Sequence, residues 1–212
     1  LAAFARYQRE SAWTWEHMAL TRARPVAGDG LLCERIAPAI TAALTAPRDA
    51  RRLVADVADM RRRIAENFPR PSPWDLRNRR GGLVDLEFTV QYLMLREAER
   101  TPEVLRRETG AALQALGTAG ILPPQGVREL GDALALLRHV RALLALLFEG
   151  VPDPAALSGP AGATLARCAG AIDFARLDAD ISAACARVRA WYDRLIARPA
   201  RRVAQSREPA TG

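Results

Sequence analysis

Apolar residues return every three or four positions along almost the whole of this chain, and nowhere do they alternate with polar ones over the length of a strand. That spacing puts one apolar stripe along one side of a helix, so it commits the chain to helices packed on helices. In PRDARRLVADVADMRRRIAENF (47–68), Leu53, Val57, Met60 and Ile64 share such a stripe, and Pro47 suits a first helical turn. Arg61, Arg62 and Arg63 point three ways around the same helix, which predicts solvated side chains. A further helix is expected over about 128–148, through Leu130, Leu134, Leu137, Leu144 and Leu147. Another is expected over about 178–196, through Ile181, Cys185, Val188, Trp191 and Leu195. The breaks LPPQG (122–126) and GVPDPAALSGPAG (150–162) punctuate them. From Pro199 the chain is polar and basic, which predicts a disordered tail over 199–212.

Composition narrows the function classes. The most apolar run, ALLALLF (142–148), is far too short to span a bilayer and is flanked by Arg138, Arg141 and Glu149, so no membrane partner is expected. Cys33, Cys168 and Cys185 are widely spaced and odd in number, which fits a reducing cytoplasm better than a disulfide framework. The net charge of +7 comes from 31 arginines, with no lysine, against 24 acids interspersed among them. Both halves of the chain share the excess, whereas a nucleic-acid surface clusters its charge and interleaves aromatics, so no nucleic-acid partner is expected. Leu1 opens inside an apolar segment without a signal-peptide pattern, as in a piece cut from a longer chain.

Two acid-x-acid pairs invite a metal reading, because paired carboxylates hold Mg²⁺ in many phosphoryl-transfer enzymes. Asp85 and Glu87 stand in GGLVDLEF (81–88), and Asp178 and Asp180 in RLDADI. On a helix, residues two apart lie about 200° apart, so neither pair can grip one ion unaided. Asp178 and Asp180 are expected to cap the first turn of the last helix. No metal ligands and no catalytic residues are assigned within the 212 residues. Glu87 and Gln91, one turn apart, can bond to each other or to a neighbouring element. His17 and His139 have no partner at ligand spacing. In WTWEHMALTRARPVAGD (13–29), Pro25 ends a helix near Arg24, leaving Arg22 and Arg24 at its terminus beside the Gly28-Asp29 turn. Guanidiniums so placed suit a polyphosphate or carboxylate, or complement the helix dipole.

WTWEHMALTRARPVAGD, PRDARRLVADVADMRRRI and WDLRNRRGGLVDLEFTVQYLMLR, in this order and spacing, resemble the glutamine synthetase adenylyltransferases, also called adenylyl-removing enzymes. The resemblance runs from near Leu1 to about Leu195, with WEHMALTRAR and GGLVDLEF nearer the adenylylating half than the removing half. It implies an all-α fragment: a helical bundle carrying, at its N-terminus, the trailing helix (about 3–24) of an upstream α/β nucleotidyltransferase domain. The implied organisation is 1–68 for the end of that domain and its connection, 69–82 as linker, 83–198 for the bundle and 199–212 for the tail. It implies transfer of AMP from ATP to a tyrosine of glutamine synthetase, and removal by phosphorolysis in the full bifunctional protein. Mg²⁺ would be bound by acids upstream of Leu1, leaving the isolated fragment inactive. Glu16, Arg22 and Arg24 match motif positions near the nucleotide pocket. Gly81, Gly82, Asp85, Glu87 and Gln91 match the signature of the helical domain. The implied partners are glutamine synthetase and a PII-type nitrogen-signalling protein, in the cytoplasm. The competing expectation is a non-catalytic helical module that docks one of those proteins.

Overall fold

The helix Leu83–Glu97 (α5) carries buried residues on every side, from Leu83 and Val84 to Met94 and Leu95, and so must lie inside the molecule rather than on it. In the computed structural model, which describes residues 1–69 and 72–206, α5 is the central post of an all-helical fold. Three short helices precede it, Ala2–Glu10 (α1), Thr14–Leu20 (α2) and Gly30–Leu44 (α3), followed by the long Ala50–Asn67 (α4). After it come Thr109–Thr118 (α6), Pro124–Leu147 (α7), Pro160–Cys168 (α8), Phe174–Tyr192 (α9) and Arg198–Gln205 (α10). Among the described residues there is no strand. Helices α2, α4, α6, α7 and α9 all touch α5, and α7 lies chiefly along α9.

Several boundaries differ from expectation for local reasons. The expected N-terminal helix is two helices, because the Glu16 carboxylate takes the Trp13 N–H at 2.8 Å and starts a fresh helix there. Helix α4 begins at Ala50 rather than at Pro47, since Asp49 accepts the N–H groups of Arg51 and Arg52. Asp173, not Asp178 or Asp180, caps α9 through the Arg176 N–H at 2.7 Å; Asp180 pairs with Arg176 one turn away. Helix α3 ends against Arg48, whose guanidinium donates to the carbonyls of Ala43, Leu44 and Ala46, each at 2.7 Å.

Residues 72–82 are not a spacer. Trp74 and Leu76 are buried, and the Trp74 ring stacks on Phe174 with centroids 5.2 Å apart. Arg70 and Pro71, at the start of the expected linker, lie outside the described residues.

The expected disordered tail is also corrected. Helix α9 runs through a π turn, Asp193–Ala197, directly into α10, which packs on α4. The cause is Pro199. A proline inside a helix lacks an N–H and crowds the carbonyl four residues back, here Leu195. The wide turn accommodates it, with the Arg198 N–H reaching the Asp193 carbonyl five residues back. Ala200 and Val203 then rest on the core. Residues 207–212 of the expected tail lie outside the described residues.

Candidate functional site at the junction of α2 and α5

The signature stretch WDLRNRRGG folds into a tight turn around two carboxylates. Asp75 accepts the N–H groups of Arg77 and Asn78 and the Asn78 side-chain amide at 2.9 Å. This lets the chain reverse into Gly81 and Gly82. Gly81 has φ +77°, and a Cβ there would stand 2.0 Å from the Cys185 carbonyl oxygen on α9. Only glycine permits both that backbone and that approach. Gly82 heads α5 with similar crowding, its missing Cβ facing the Leu76 carbonyl at 2.6 Å.

Asp85, fully buried, accepts the Gly81 N–H at 2.5 Å with one oxygen and the Arg61 Nε with the other. Arg61 is just as buried and reaches back from α4 to the Asn78 carbonyl at 3.0 Å, while its Nη1 has no hydrogen-bond partner among the described residues. The expectation of three solvated arginines on α4 is therefore corrected for one of them. Arg62 and Arg63 do face solvent, paired with Asp59, but Arg61 lies on the stripe of Leu53, Val54 and Val57 and is drawn inward by a buried anion. Around this pair, burial pushes the Tyr192 phenol well above its ordinary pKa, reinforced by the charge of Asp85. Burial likewise raises the Cys185 thiol. The cluster thus welds α4, the glycine turn, α5 and α9 together.

Glu87, two residues on, faces the other way. Its Oε1 lies 3.4 Å from Arg22 Nη1 and 3.9 Å from Arg138 Nη2 on α7. Arg138 also donates to Glu108 at 2.7 Å and to Thr109 at 3.0 Å at the start of α6. Of the two options for Glu87, bonding to Gln91 or to a neighbouring element, the structure takes the second. Gln91 is half-buried on α5 with no hydrogen bond of its side chain among the described residues. Arg22 therefore sits at the end of α2 with its guanidinium half exposed and one contact to α5. Arg24 is exposed, with no acid beside it among the described residues. Glu16 does local work, taking the Tyr7 hydroxyl at 2.6 Å and the Trp13 N–H. These contacts hold its carboxyl below the usual range, the backbone N–H first and Tyr7 second.

The structure thus gathers Arg22 with Glu87, and Gly81 and Gly82 with Asp85; it leaves Glu16, Arg24 and Gln91 apart from both groups. Sequence reasoning missed Arg61 and Arg138. For Arg61 the signal was its spacing of four from Val57 on the apolar stripe; for Arg138 there was none. Among the described residues no three His, Cys, Asp or Glu side chains converge as a metal set. Asp85 is bound by Arg61 and Glu87 by Arg22, on different sides of α5, so these carboxylates do not fit a shared Mg²⁺. His17 donates from Nε2 to the Gln8 carbonyl, 3.1 Å away, and His139 from Nε2 to that of Cys168, 3.3 Å away.

The front of the chain stays uncovered. Trp13 and Trp15 are 67% and 53% exposed, and Leu31 and Leu32 on the apolar α3 are exposed as well. Met18, by contrast, is buried against the bundle, so α2 has one face docked and one bare.

Comparison with known proteins finds two family models that match successive parts of the chain. Residues 53–196 match the family model described as GlnD PII-uridylyltransferase. Residues 1–37 match the model described as Glutamate-ammonia ligase adenylyltransferase. The long match makes the class plain: through its helical domain the chain belongs to the PII-uridylyltransferase family. The particular kinship is with proteins named bifunctional glutamine synthetase adenylyltransferase/adenylyl-removing enzyme. The one from Xanthobacter autotrophicus is 40% identical over 92% of this chain. Those from Rhodopseudomonas palustris and Bradyrhizobium diazoefficiens are 38% and 37% identical over the same share. The chain spans about a fifth of the length of these curated relatives (20%). The resemblance drawn from the motifs is thereby shown, as is the all-α fold.

Proposed function

We propose that this chain serves as the C-terminal part of an adenylyltransferase that moves AMP from ATP onto a tyrosine of glutamine synthetase. In that reaction a phenolic oxygen bonds to the α-phosphorus as the bond to pyrophosphate breaks. The observation that carries the proposal is the Arg22–Glu87 contact. It joins the end of α2, within the segment that matches the adenylyltransferase model, to α5 within the segment that matches the helical-domain model. Arg22 keeps half its guanidinium open, and Arg24 stands beside it uncommitted, so both can meet phosphate charge. The carboxylates among the described residues do not themselves fit Mg²⁺, so any metal in the reaction would be held by other residues of the longer polypeptide. The glycine turn and the Arg61–Asp85 pair keep α5 rigid, and hence fix where Glu87 holds Arg22. The location proposed is the cytoplasm; no helix among the described residues is long and apolar enough to cross a membrane.

Docking of a PII-type signalling protein on the helical domain is the second reading, favoured by the model that matches residues 53–196. One experiment separates the two. The longer polypeptide and the 212-residue chain are each incubated with glutamine synthetase, Mg²⁺ and ATP labelled at the α-phosphate. The longer protein should label the synthetase and the 212-residue chain should not. Absence of transfer by the longer protein, with tight binding of a PII-type protein retained, would leave only the docking reading.

A further inference from the structure

The charge of this molecule is not spread evenly. Between residues 186 and 206 stand Arg187, Arg189, Arg194, Arg198, Arg201 and Arg202 against a single acid, Asp193. All six arginines are exposed. Residues 1–185 hold 24 arginines and 22 acids, so most of the net excess belongs to the last limb of the fold, from the end of α9 through α10.

The π turn arranges this limb. In a regular α-helix, residues five apart point about 140° away from each other. Across Asp193–Ala197 the wider repeat closes that angle, and Arg189, Arg194 and Arg198 line one groove of about 580 Å³, facing Gln125 and Glu129 on α7. The Arg194 guanidinium lies over the Trp191 ring, 3.7 Å from its centroid. The ring is pinned in turn by the bond from Trp191 Nε1 to Glu129 at 2.7 Å. Glu129 also takes Gln125 Nε2, at 2.8 Å, and these two neutral donors hold its carboxyl below the usual range. Asp193 is shared between Arg80 at 3.6 Å and Arg189 at 3.7 Å. The guanidiniums of Arg198, Arg201 and Arg202 make no hydrogen bond or ion pair among the described residues, and Arg187 reaches Glu129 only through its charge.

We propose that this arginine face docks an acidic segment of a protein partner, one that presents several carboxylates close together. Planar guanidinium forks match carboxylates two bonds at a time, and a ring-stacked Arg194 loses less freedom in making them. A nucleic acid would need open aromatic faces for its bases. Here Trp191 and Tyr192 are buried, and their rings are covered by Arg194 and Arg80. The inference is independent of the adenylyl-transfer reading, since none of these residues belongs to the α2–α5 junction.

The test uses the 212-residue chain and a fluorescent peptide of about ten glutamates, followed by anisotropy at rising salt, where electrostatic docking weakens. The wild type should bind the peptide. The variant R189Q/R194Q/R198Q should bind at least about tenfold more weakly, while R35Q/R107Q/R141Q, of identical net charge and with its changes elsewhere, stays within about twofold. R198Q alone removes a side chain with no partner to lose, and should cost about threefold without altering the melting temperature. Equal losses in the two triple variants would mean that only net charge matters, and would overturn the proposal. So would the absence of peptide binding by the wild type, or tighter binding of a single-stranded RNA of matched charge.

Discussion

Replacing Asp85 with Ala should do more damage than any other single side-chain truncation on α5, and the structure says why. The carboxylate holds two partners, the Arg61 guanidinium and the Gly81 N–H, and all three are sealed from water. Arg61 already has one nitrogen without a partner among the described residues, where its charge would then keep the Asn78 carbonyl as its one acceptor. Breaking a buried pair by removing one member typically costs about 3–5 kcal/mol, because the other charge stays desolvated. For a chain of this size each kcal/mol moves the melting temperature by about 2–4 °C, so a fall of roughly 6–20 °C is expected. The assay is urea unfolding, followed by circular dichroism and tryptophan fluorescence together to check that the transition is single. The companion double variant, Arg61→Met with Asp85→Leu, removes both charges and should recover most of the loss. A loss below about 1 kcal/mol for Asp85→Ala, or a double variant no better than the single, would refute the argument that the pair is buried and interdependent.

Gly81→Ala should cost at least about 3 kcal/mol by the same unfolding measurement, since its positive φ is strained for a side chain and the new methyl would meet the Cys185 backbone. Arg48→Ala should lose about 1–2 kcal/mol, because three carbonyls at the end of α3 lose their donor; amide exchange in α3 should rise with it. Trp13→Ala and Trp15→Ala should each change the stability of this chain by less than about 0.5 kcal/mol, given their exposure, and a larger loss would mean that the α1–α3 face is covered. Burial, and the charge of Arg48 after it, hold His17 below its ordinary pKa of 6.5, so the unfolded chain binds the extra proton first. Stability is therefore full above about pH 6.5 and falls as pH drops through the lowered folded value; unfolding measured from pH 7.5 to 5 should show this slope, and His17→Gln should flatten it.

The fold class was legible because periodicity reports burial, and nearly all burial here is helical. Leu53 and Val57, and Leu130, Leu134, Leu137 and Leu144 of α7, are buried where their spacing placed them, whereas Leu147, at the end of α7, is exposed. Boundaries were less legible, because caps are chosen among competing acids. Asp173 outcompeted Asp178 and Asp180 by standing at the one position from which a carboxylate reaches the free N–H groups. The signature glycines announced a close approach, but only the fold names Cys185 as the backbone being approached.

Arg61 shows where the reasoning had to fail. A run of three arginines reads as solvated on one-body grounds, since a guanidinium is costly to bury. What reverses that cost is Asp85, 24 residues away and brought into contact by the turn at 72–82. Pairing between distant residues leaves no local pattern, so the contact of Arg61 with Asp85 was invisible although the sequence singles out Asp85 itself. The C-terminal limb is the converse case. Its end reads as a tail because the chain is polar and basic from Pro199, whereas a five-residue π turn lets the helix pass through the proline. A residue that usually ends helices here sets the angle between three guanidiniums. That makes Pro199→Ala informative: restoring a regular helix should turn Arg198 away from Arg189 and Arg194, and so weaken capture of an acidic peptide without removing any charge.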